Sequence, residues 1–322
     1  MSRITSIAIL QRIMPLEVVC MSTKAPTPLA HRRLAPVERL NRAGAPVTAS
    51  FEFFPPRTPE LRAGLEETID RLIPLRPSFV SVTYGAGGTT RGETFDTIVA
   101  LRSRGLTVAA HLTCVGHSRS EIQELADRYR GVGVDHILAL RGDPPAGQLP
   151  TGELAHATEL VTALRDAGIS RVAVAAFPEG HPESGFDVAA EIENLKRKEA
   201  AGATQAITQF CLENDTVLRF VDRARAAGIG LEIVPGILPV SNVTQTRKFA
   251  TTVGATIPAW LDELFEGLDD DPTTRDLVAA SIASEQCADL AAHGLNHVHF
   301  YTLNRAQLTY AVCRTLGIRV RL

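Results

Sequence analysis

No CxxC pair occurs anywhere in the chain, and its five cysteines, Cys20, Cys114, Cys211, Cys287 and Cys313, are scattered and odd in number. That argues against a disulfide framework or a structural zinc and points to a reducing cytoplasm. A surplus of positive charge is missing too: 33 Lys and Arg stand against 36 Asp and Glu, for a net charge of −3, which gives no footprint for nucleic acid. No apolar run approaches the roughly 18 residues that a membrane helix needs. The histidines lack metal-ligand spacing. His293, His297 and His299 have no HxxxH helix context, and the last two are expected to flank or enter the final strand.

With 322 residues and 45% hydrophobic content, the chain is long enough for two domains, although one α/β barrel of about 250 residues is an ordinary alternative. Residues 1–45 differ in character. An apolar stretch broken by Arg12 and Pro15 precedes a basic, proline-containing segment with His31-Arg32-Arg33. It lacks the clean apolar core and cleavage site of a signal peptide, and a disordered N-terminal extension is expected there, with Met21 as a possible true start.

From residue 46 onward, short β-branched runs alternate with longer helical patterns. Strands are predicted over 47–53, 79–84, 107–112, 136–140, 171–177, 205–210, 231–235 and 298–303. Helices are predicted between them, with additional ones over 243–251, 258–265 and 274–293 before the last strand. Several end at a glycine, as at Gly105, Gly168, Gly202 and Gly228, which supplies a left-handed residue after the helix. The pattern predicts an α/β fold, a (β/α)8 TIM barrel spanning residues 46–322 as one catalytic domain. An open doubly wound sheet would normally carry GxGxxG after its first strand, and Pro55-Pro56-Arg57 occupies that turn instead.

One acid interrupts the first strand. In Ser50-Phe-Glu-Phe-Phe-Pro-Pro-Arg57, alternation puts Glu52 and Phe54 on one face and Phe51 and Phe53 on the other. A carboxyl lodged among aromatics is hard to ionise and suits a general acid near neutral pH; an edge-strand acid facing water or an arginine is the other reading. The remaining strand ends are polar as well: the glycine-rich Thr83-Tyr84-Gly-Ala86-Gly-Gly, then His111, Arg141-Gly142-Asp143, Phe177 with His181, Gln209, and Tyr301 with Arg305. In a barrel these converge on one mouth. Arg141 can hold a phosphate or carboxylate bidentately and Asp143 can accept from the amidine-like edge of a pterin or flavin, unless the two simply pair. Glu191, Asn194 and Lys198 share one helix stripe, which reads either as a ribose and pyrophosphate contact or as a solvated face. Phe249 and Trp260 read as packing residues unless they face the mouth.

These segments together resemble bacterial-type methylenetetrahydrofolate reductases. The markers are Ser-Phe-Glu-Phe-Phe-Pro-Pro-Arg, Phe-Val-Ser-Val-Thr-Tyr-Gly-Ala, Ala-Leu-Arg-Gly-Asp, Asn-Leu-Lys-Arg-Lys, Ala-Ile-Thr-Gln-Phe, Val-Pro-Gly-Ile-Leu-Pro-Val-Ser-Asn and His-Phe-Tyr-Thr-Leu-Asn-Arg-Ala, between about residues 46 and 320. The resemblance implies a barrel with non-covalently bound FAD that is reduced by NADH or NADPH and passes the hydride through flavin N5, in ping-pong fashion, to 5,10-methylenetetrahydrofolate. Glu52 would be the general acid and Asp143 the second catalytic residue. FAD positions would be Thr83, Tyr84, Ala86, His111, Arg141, Gly142, Asp143, Ala157, Phe177, His181, Glu191, Asn194, Arg197 and Lys198. The substrate side would be formed by Glu52, Thr83, Asp143, Gln209, Phe249, Tyr301 and Arg305. A cytoplasmic homo-oligomer serving one-carbon metabolism and methionine biosynthesis is expected, with small molecules as its other partners.

The chain departs from that pattern at three places. Phe177 replaces a tyrosine, Glu191 replaces an aspartate beside an apparent one-residue insertion, and the loop over 144–151 is rewritten. These changes bear on FAD affinity more than on the reaction. The regulatory domain of animal and fungal relatives, with its S-adenosylmethionine binding, is not expected. A barrel that binds folate or flavin without turnover is the alternative.

Overall fold

The computed structural model describes residues 46–85, 91–142 and 152–320. The expected extension at 1–45 and the site residues Ala86 and Asp143 lie outside them. Among the described residues, nine strand segments, all parallel, form one sheet in the order β7-β6-β5-β4-β3-β2-β1-β9-β8. They are β1 (Thr48–Phe53), β2 (Val80–Val82), β3 (Val108–Thr113), β4 (His136–Leu140), β5 (Arg171–Ala176), β6 (Gln205–Thr208), β7 (Glu232–Val234), β8 (Gly236–Ile237) and β9 (His297–Tyr301). The helices among the described residues are α1 (Pro59–Leu72), α2 (Arg91–Ser103), α3 (Arg119–Gly131), α4 (Ala157–Asp166), α5 (Val188–Ala200), α6 (Asn214–Ala226), α7 (Val243–Val253), α8 (Ala259–Phe265), α9 (Pro272–Ala292) and α10 (Ala306–Thr315).

The expected barrel is present, with one difference. The seventh predicted strand, over 231–235, is β7, and past Pro235, which has no N–H to continue the ladder, the chain resumes as the unpredicted β8. β7 pairs with β6, while β8 pairs with β9, and the Pro235 carbonyl accepts from the His299 N–H at 2.9 Å. One side of the break thus completes one edge of the sheet and the other side closes it. Gly236 is required at this junction, since a Cβ would come within 2.2 Å of the Thr208 carbonyl oxygen and 2.6 Å of the Tyr301 ring.

Local sequence sets the helix boundaries. Thr58 caps α1, its hydroxyl accepting from the Leu61 N–H, with Pro59 at the first position. Ser118 and Glu121 form a capping box on α3. The four expected glycines, Gly105, Gly168, Gly202 and Gly228, all have φ between 78 and 109°. The strands' outward residues, such as Phe51, Phe53, Val80, Val172 and Phe300, pack against the helices in the main core. Inside the barrel, Phe79, Ala109, Leu138, Ala173, Ile207 and Val234 form a separate apolar plug. The extra helices α7, α8 and α9 enclose a third core around Phe210, Leu238 and Leu261. Cys114, Cys211, Cys287 and Cys313 are buried and unbridged, and burial pushes the thiols of Cys114 and Cys313 up to about 11 and about 12. Among the described residues, no helix is long and apolar enough to cross a membrane.

Candidate active site at the carboxyl ends of the strands

Strand alternation turns Ser50 and Glu52 of β1 into the barrel, in register with His299 and Tyr301 of β9. Phe51 and Phe53 face the helices instead. The surroundings of Glu52 are therefore histidines and hydroxyls rather than the expected aromatic cage. His111 Nε2 lies 3.5 Å and His299 Nε2 3.9 Å from Glu52 Oε2. Burial raises the Glu52 pKa, and the nearby His111 only partly opposes this. The same desolvation drives His111 down to about 4 and His299 to about 3, so both rings are neutral at physiological pH.

The end of β1 is fixed from the far end of the chain. The Thr302 hydroxyl donates to the Glu52 carbonyl at 2.6 Å. Asn304 and Phe54 exchange two 2.9 Å bonds, the Phe54 N–H donating to Asn304 Oδ1 and Asn304 Nδ2 to the Phe54 carbonyl. Leu303 and Asn304 both adopt left-handed backbone, at φ of 50 and 55°, and the Asn304 carbonyl is held by the Thr68 hydroxyl. This clamp role of Asn304 carries no local signal in the sequence.

Around the mouth, the Tyr301 hydroxyl donates to the Thr208 carbonyl at 2.7 Å. Desolvation and the Glu52 charge keep that phenol protonated. Gln209 is half-buried, its side-chain oxygen accepting from the Phe210 N–H, and it lines a small recess with Phe177 and Phe210. Phe249 is exposed and stacks on Phe210 with ring centroids 5.6 Å apart. Phe177 meets His181 edge-on. Thr83 is half-buried at the end of β2, and its carbonyl accepts from the Thr94 hydroxyl. Tyr84 is buried, Ala157 opens α4, and Arg305, which precedes α10, is exposed.

Arg141 follows β4 and grips Glu183 through two bonds, at 2.5 and 2.6 Å, a partner not anticipated from the sequence. Gly142 beside it has φ 81°, and a Cβ there would meet the Thr113 side chain at 2.7 Å. The Glu191, Asn194 and Lys198 stripe turns inward, with Glu191 and Lys198 buried and Arg197 on the exposed side. Lys198 Nζ donates to the Ala175 carbonyl at 2.7 Å and stands 3.8 Å from Glu191, whose other oxygen accepts from Asn194. The stripe is an internal polar contact between α5 and β5, and the solvated-face reading does not apply.

His111 Nε2 is buried without a hydrogen-bond partner among the described residues. Arg141 follows the neighbouring strand β4, so the same end of the barrel carries a buried imidazole nitrogen and a guanidinium. That donor set fits a flat, anionic cofactor such as a flavin nucleotide.

Comparison with known proteins agrees with this geometry. Residues 37–317 match the family model described as methylenetetrahydrofolate reductase. The 5,10-methylenetetrahydrofolate reductases of Pectobacterium carotovorum and Escherichia coli K12 are each 47% identical over 292 residues, 90% of this chain and 97% of theirs. Methylenetetrahydrofolate reductase (NADH) 1 of Arabidopsis thaliana is 34% identical over 84% of this chain and 48% of its own length. Among solved structures, a Clostridium thermocellum protein described as binding two copies of 5-methyl-5,6,7,8-tetrahydrofolic acid superposes with a TM-score of 0.58 at 16% identity, covering 88% of this chain and 97% of that one, a likeness of fold. By family model and by near full-length identity, the chain belongs to the methylenetetrahydrofolate reductase family.

Proposed function

We propose that this protein reduces 5,10-methylenetetrahydrofolate to 5-methyltetrahydrofolate as an FAD enzyme, with Glu52 as the general acid. The observation that carries the reading is a buried carboxyl, its pKa raised by desolvation, at the floor of a polar barrel mouth. Bound FAD would take a hydride from NADH or NADPH and return it to the folate methylene, the two substrates using one face in turn. Arg141 would hold an anionic part of the cofactor and His111 a polar edge of it, with Thr83, Tyr84, Ala86, Gly142, Ala157, Phe177 and His181 around them. Glu191, Asn194, Arg197 and Lys198 belong to the same reading, with buried Lys198, beside buried Glu191, supporting β5 from behind.

Opening the folate's imidazolidine ring breaks the bond from the methylene carbon to N10, and that nitrogen needs a proton as it leaves. Glu52 supplies it and becomes a carboxylate. Asp143 and Gln209 would grip the pterin edge. Phe249, exposed and already stacked on Phe210, would cover the ligand, and Tyr301 and Arg305 would complete the substrate side. Membership in a family of named reductases supports the reaction; Glu52, His111 and Arg141 support the manner.

A binding-only barrel is the second reading, motivated by the C. thermocellum neighbour, whose description names binding alone. A pure binder has no use for a buried proton donor. Stopped-flow flavin absorbance separates the readings. Reduction by NADH or NADPH followed by reoxidation on methylenetetrahydrofolate is expected, and reduced enzyme that stays reduced on mixing with the folate would sink the proposal.

A further inference from the structure

The loop over 178–187, between β5 and α5, is shaped from within and fastened at three points. The His181 carbonyl accepts from the Ser184 N–H at 3.0 Å, from the Ser184 hydroxyl at 2.8 Å and from the Phe186 N–H at 3.1 Å. His181 Nδ1 accepts from the Glu183 N–H at 3.2 Å. Gly180 has φ 83°, and a Cβ on it would collide with the Phe186 backbone, so the two ends of the loop close on each other. Phe186 itself has φ 65°, left-handed backbone that a bulky residue keeps only where its surroundings hold it. Part of that hold comes from the carboxyl end of α7. Gly254 ends the helix, and a Cβ there would come within 2.6 Å of Phe186 Cε1 and 2.7 Å of Pro182 Cγ, so the Phe186 ring lies directly on the Gly254 backbone. Two residues on, the Thr256 N–H donates to the Glu179 carboxylate, 3.1 and 3.3 Å from its two oxygens. Arg141 grips the middle of the loop through Glu183. The small recess beside Gln209 lies between this loop and α7, lined by Glu179 and Gly180 on one side and Val253 and Gly254 on the other.

From these fastenings we infer that the loop over 178–187 is a positioning strap: through Glu179 and Phe186 it fixes the carboxyl end of α7, and thereby the place of Phe249 over the substrate. The inference rests on the reading of Phe249 as the ligand's cover.

The helix needs such a fastening. Of its own residues α7 buries Thr246 and Ala250, and Arg247 ties it to Asp262 of α8 at 2.6 and 2.7 Å. Phe249 is exposed and meets the barrel through its stack on Phe210. It precedes Gly254 by little more than one turn, and a helix of about three turns moves as one body. A shift at Gly254 is therefore passed to the Phe249 ring. The same shift changes the recess beside Gln209, the residue read as a grip on the pterin edge. Glu179 and Phe186 do not touch the ligand in this account. They act through α7, Glu179 by holding the first free N–H beyond the helix end and Phe186 by filling the space that Gly254 leaves open. A residue that only preserves the fold would lower activity whatever stands at position 249. A strap that works through Phe249 has no effect left to exert once that ring is gone.

The test is a double-mutant cycle on the FAD-loaded full-length enzyme. Phe186→Gly removes the ring while suiting the left-handed backbone, and it is combined with Phe249→Ala. Stopped-flow reoxidation of the reduced flavin by methylenetetrahydrofolate gives, for each variant, the half-saturating folate concentration and the limiting rate. Phe186→Gly is expected to raise the former about threefold to tenfold, the scale of coupling between neighbouring residues, and to leave the limiting rate within about twofold. Phe249→Ala should raise it at least as much, and the double variant should be no worse than Phe249→Ala alone. Glu179→Ala should behave like Phe186→Gly, and Glu179→Gln, which retains an acceptor for the Thr256 N–H, should recover most of the loss. The Glu179 pair keeps the test valid if Phe186→Gly fails to fold. Losses that add in the double variant would overturn the strap, as would an unchanged half-saturating concentration in both Phe186→Gly and Glu179→Ala, and each result would leave Phe249 as the cover. A Phe249→Ala enzyme that binds the folate as wild type does would overturn both the cover and the strap.

Discussion

His111 Nε2 stands 3.5 Å from Glu52 Oε2 in the barrel interior, yet the two do not form a charged pair. Desolvation outweighs their mutual attraction on both sides, raising the acid and lowering the imidazole to about 4. The site thus sets an acid whose proton is held more tightly than usual beside a neutral imidazole, an arrangement suited to delivering a proton to a substrate.

Replacing Glu52 by Gln removes the donor and keeps its shape. Flavin reduction by the nicotinamide should stay near wild type, while folate reduction falls at least ~10²-fold, as for loss of a general acid. Equal loss in the two half-reactions, measured separately by stopped flow, would contradict the assignment. In the wild type, folate reduction should decline as pH rises through the elevated Glu52 value, because the protonated form is the active one. Stability moves the same way. The Glu52 contribution is fully present below its ordinary 4.5 and is lost as pH rises through the folded value, so Glu52→Gln should gain on wild type with rising pH.

Acid should unfold the barrel through its buried histidines. His111, His136 and His299 fall from an ordinary 6.5 to about 4, about 3 and about 3, so below pH 6.5 the unfolded chain binds more protons. Their stabilisation is complete above 6.5 and erodes toward those folded values, by at most about 1.4 kcal/mol per histidine per pH unit. Urea midpoints measured from pH 7 to pH 4 should fall steadily, and His136→Phe should flatten the slope.

The Arg141 and Glu183 pair should compete with the cofactor for the guanidinium. Glu183 is 60% exposed, so the pair is worth at most about 1 kcal/mol. Glu183→Gln should accordingly tighten FAD binding by up to about fivefold, read by flavin fluorescence titration of the apoprotein. An unchanged affinity would mean that Arg141 does not meet the cofactor's anionic part.

Gly236→Ala should destabilise the fold by about 1–3 kcal/mol, the usual cost of forcing extra volume into a packed site. The new methyl would press on the Thr208 carbonyl and on Tyr301. Thermal unfolding checks this, and Tyr301→Phe, which spares the ring, should not reproduce the loss in full.

Much of the architecture was readable because it is local. The predicted bounds of β4 coincide with those observed, and the glycines expected to end helices all take up left-handed backbone. The break after β7 was not readable, because Pro235 matters only once β9 arrives beside it. Glu52 was legible as an unusual acid, but its neighbours were misjudged: Phe51 and Phe53 are adjacent in sequence and point away. Ser50 and His299, by contrast, are 249 residues apart and meet at 2.7 Å. For Arg141, the sequence offered the nearby Asp143, whereas the structure supplies Glu183 from 42 residues on. Local chemistry shows which residues are odd, and closure of the barrel decides what each one faces.

The junction at Pro235 also sets where this barrel would come apart. Between β8 and β9 the cylinder is held by two paired residues and one proline carbonyl, against five in register between β1 and β9. Transient breathing should therefore begin at this seam, and the His299 amide should exchange with deuterium sooner than those along β3 and β4. His299 lies on that seam, so the ring nearest Glu52 sits at the place where solvent first enters when the wall parts.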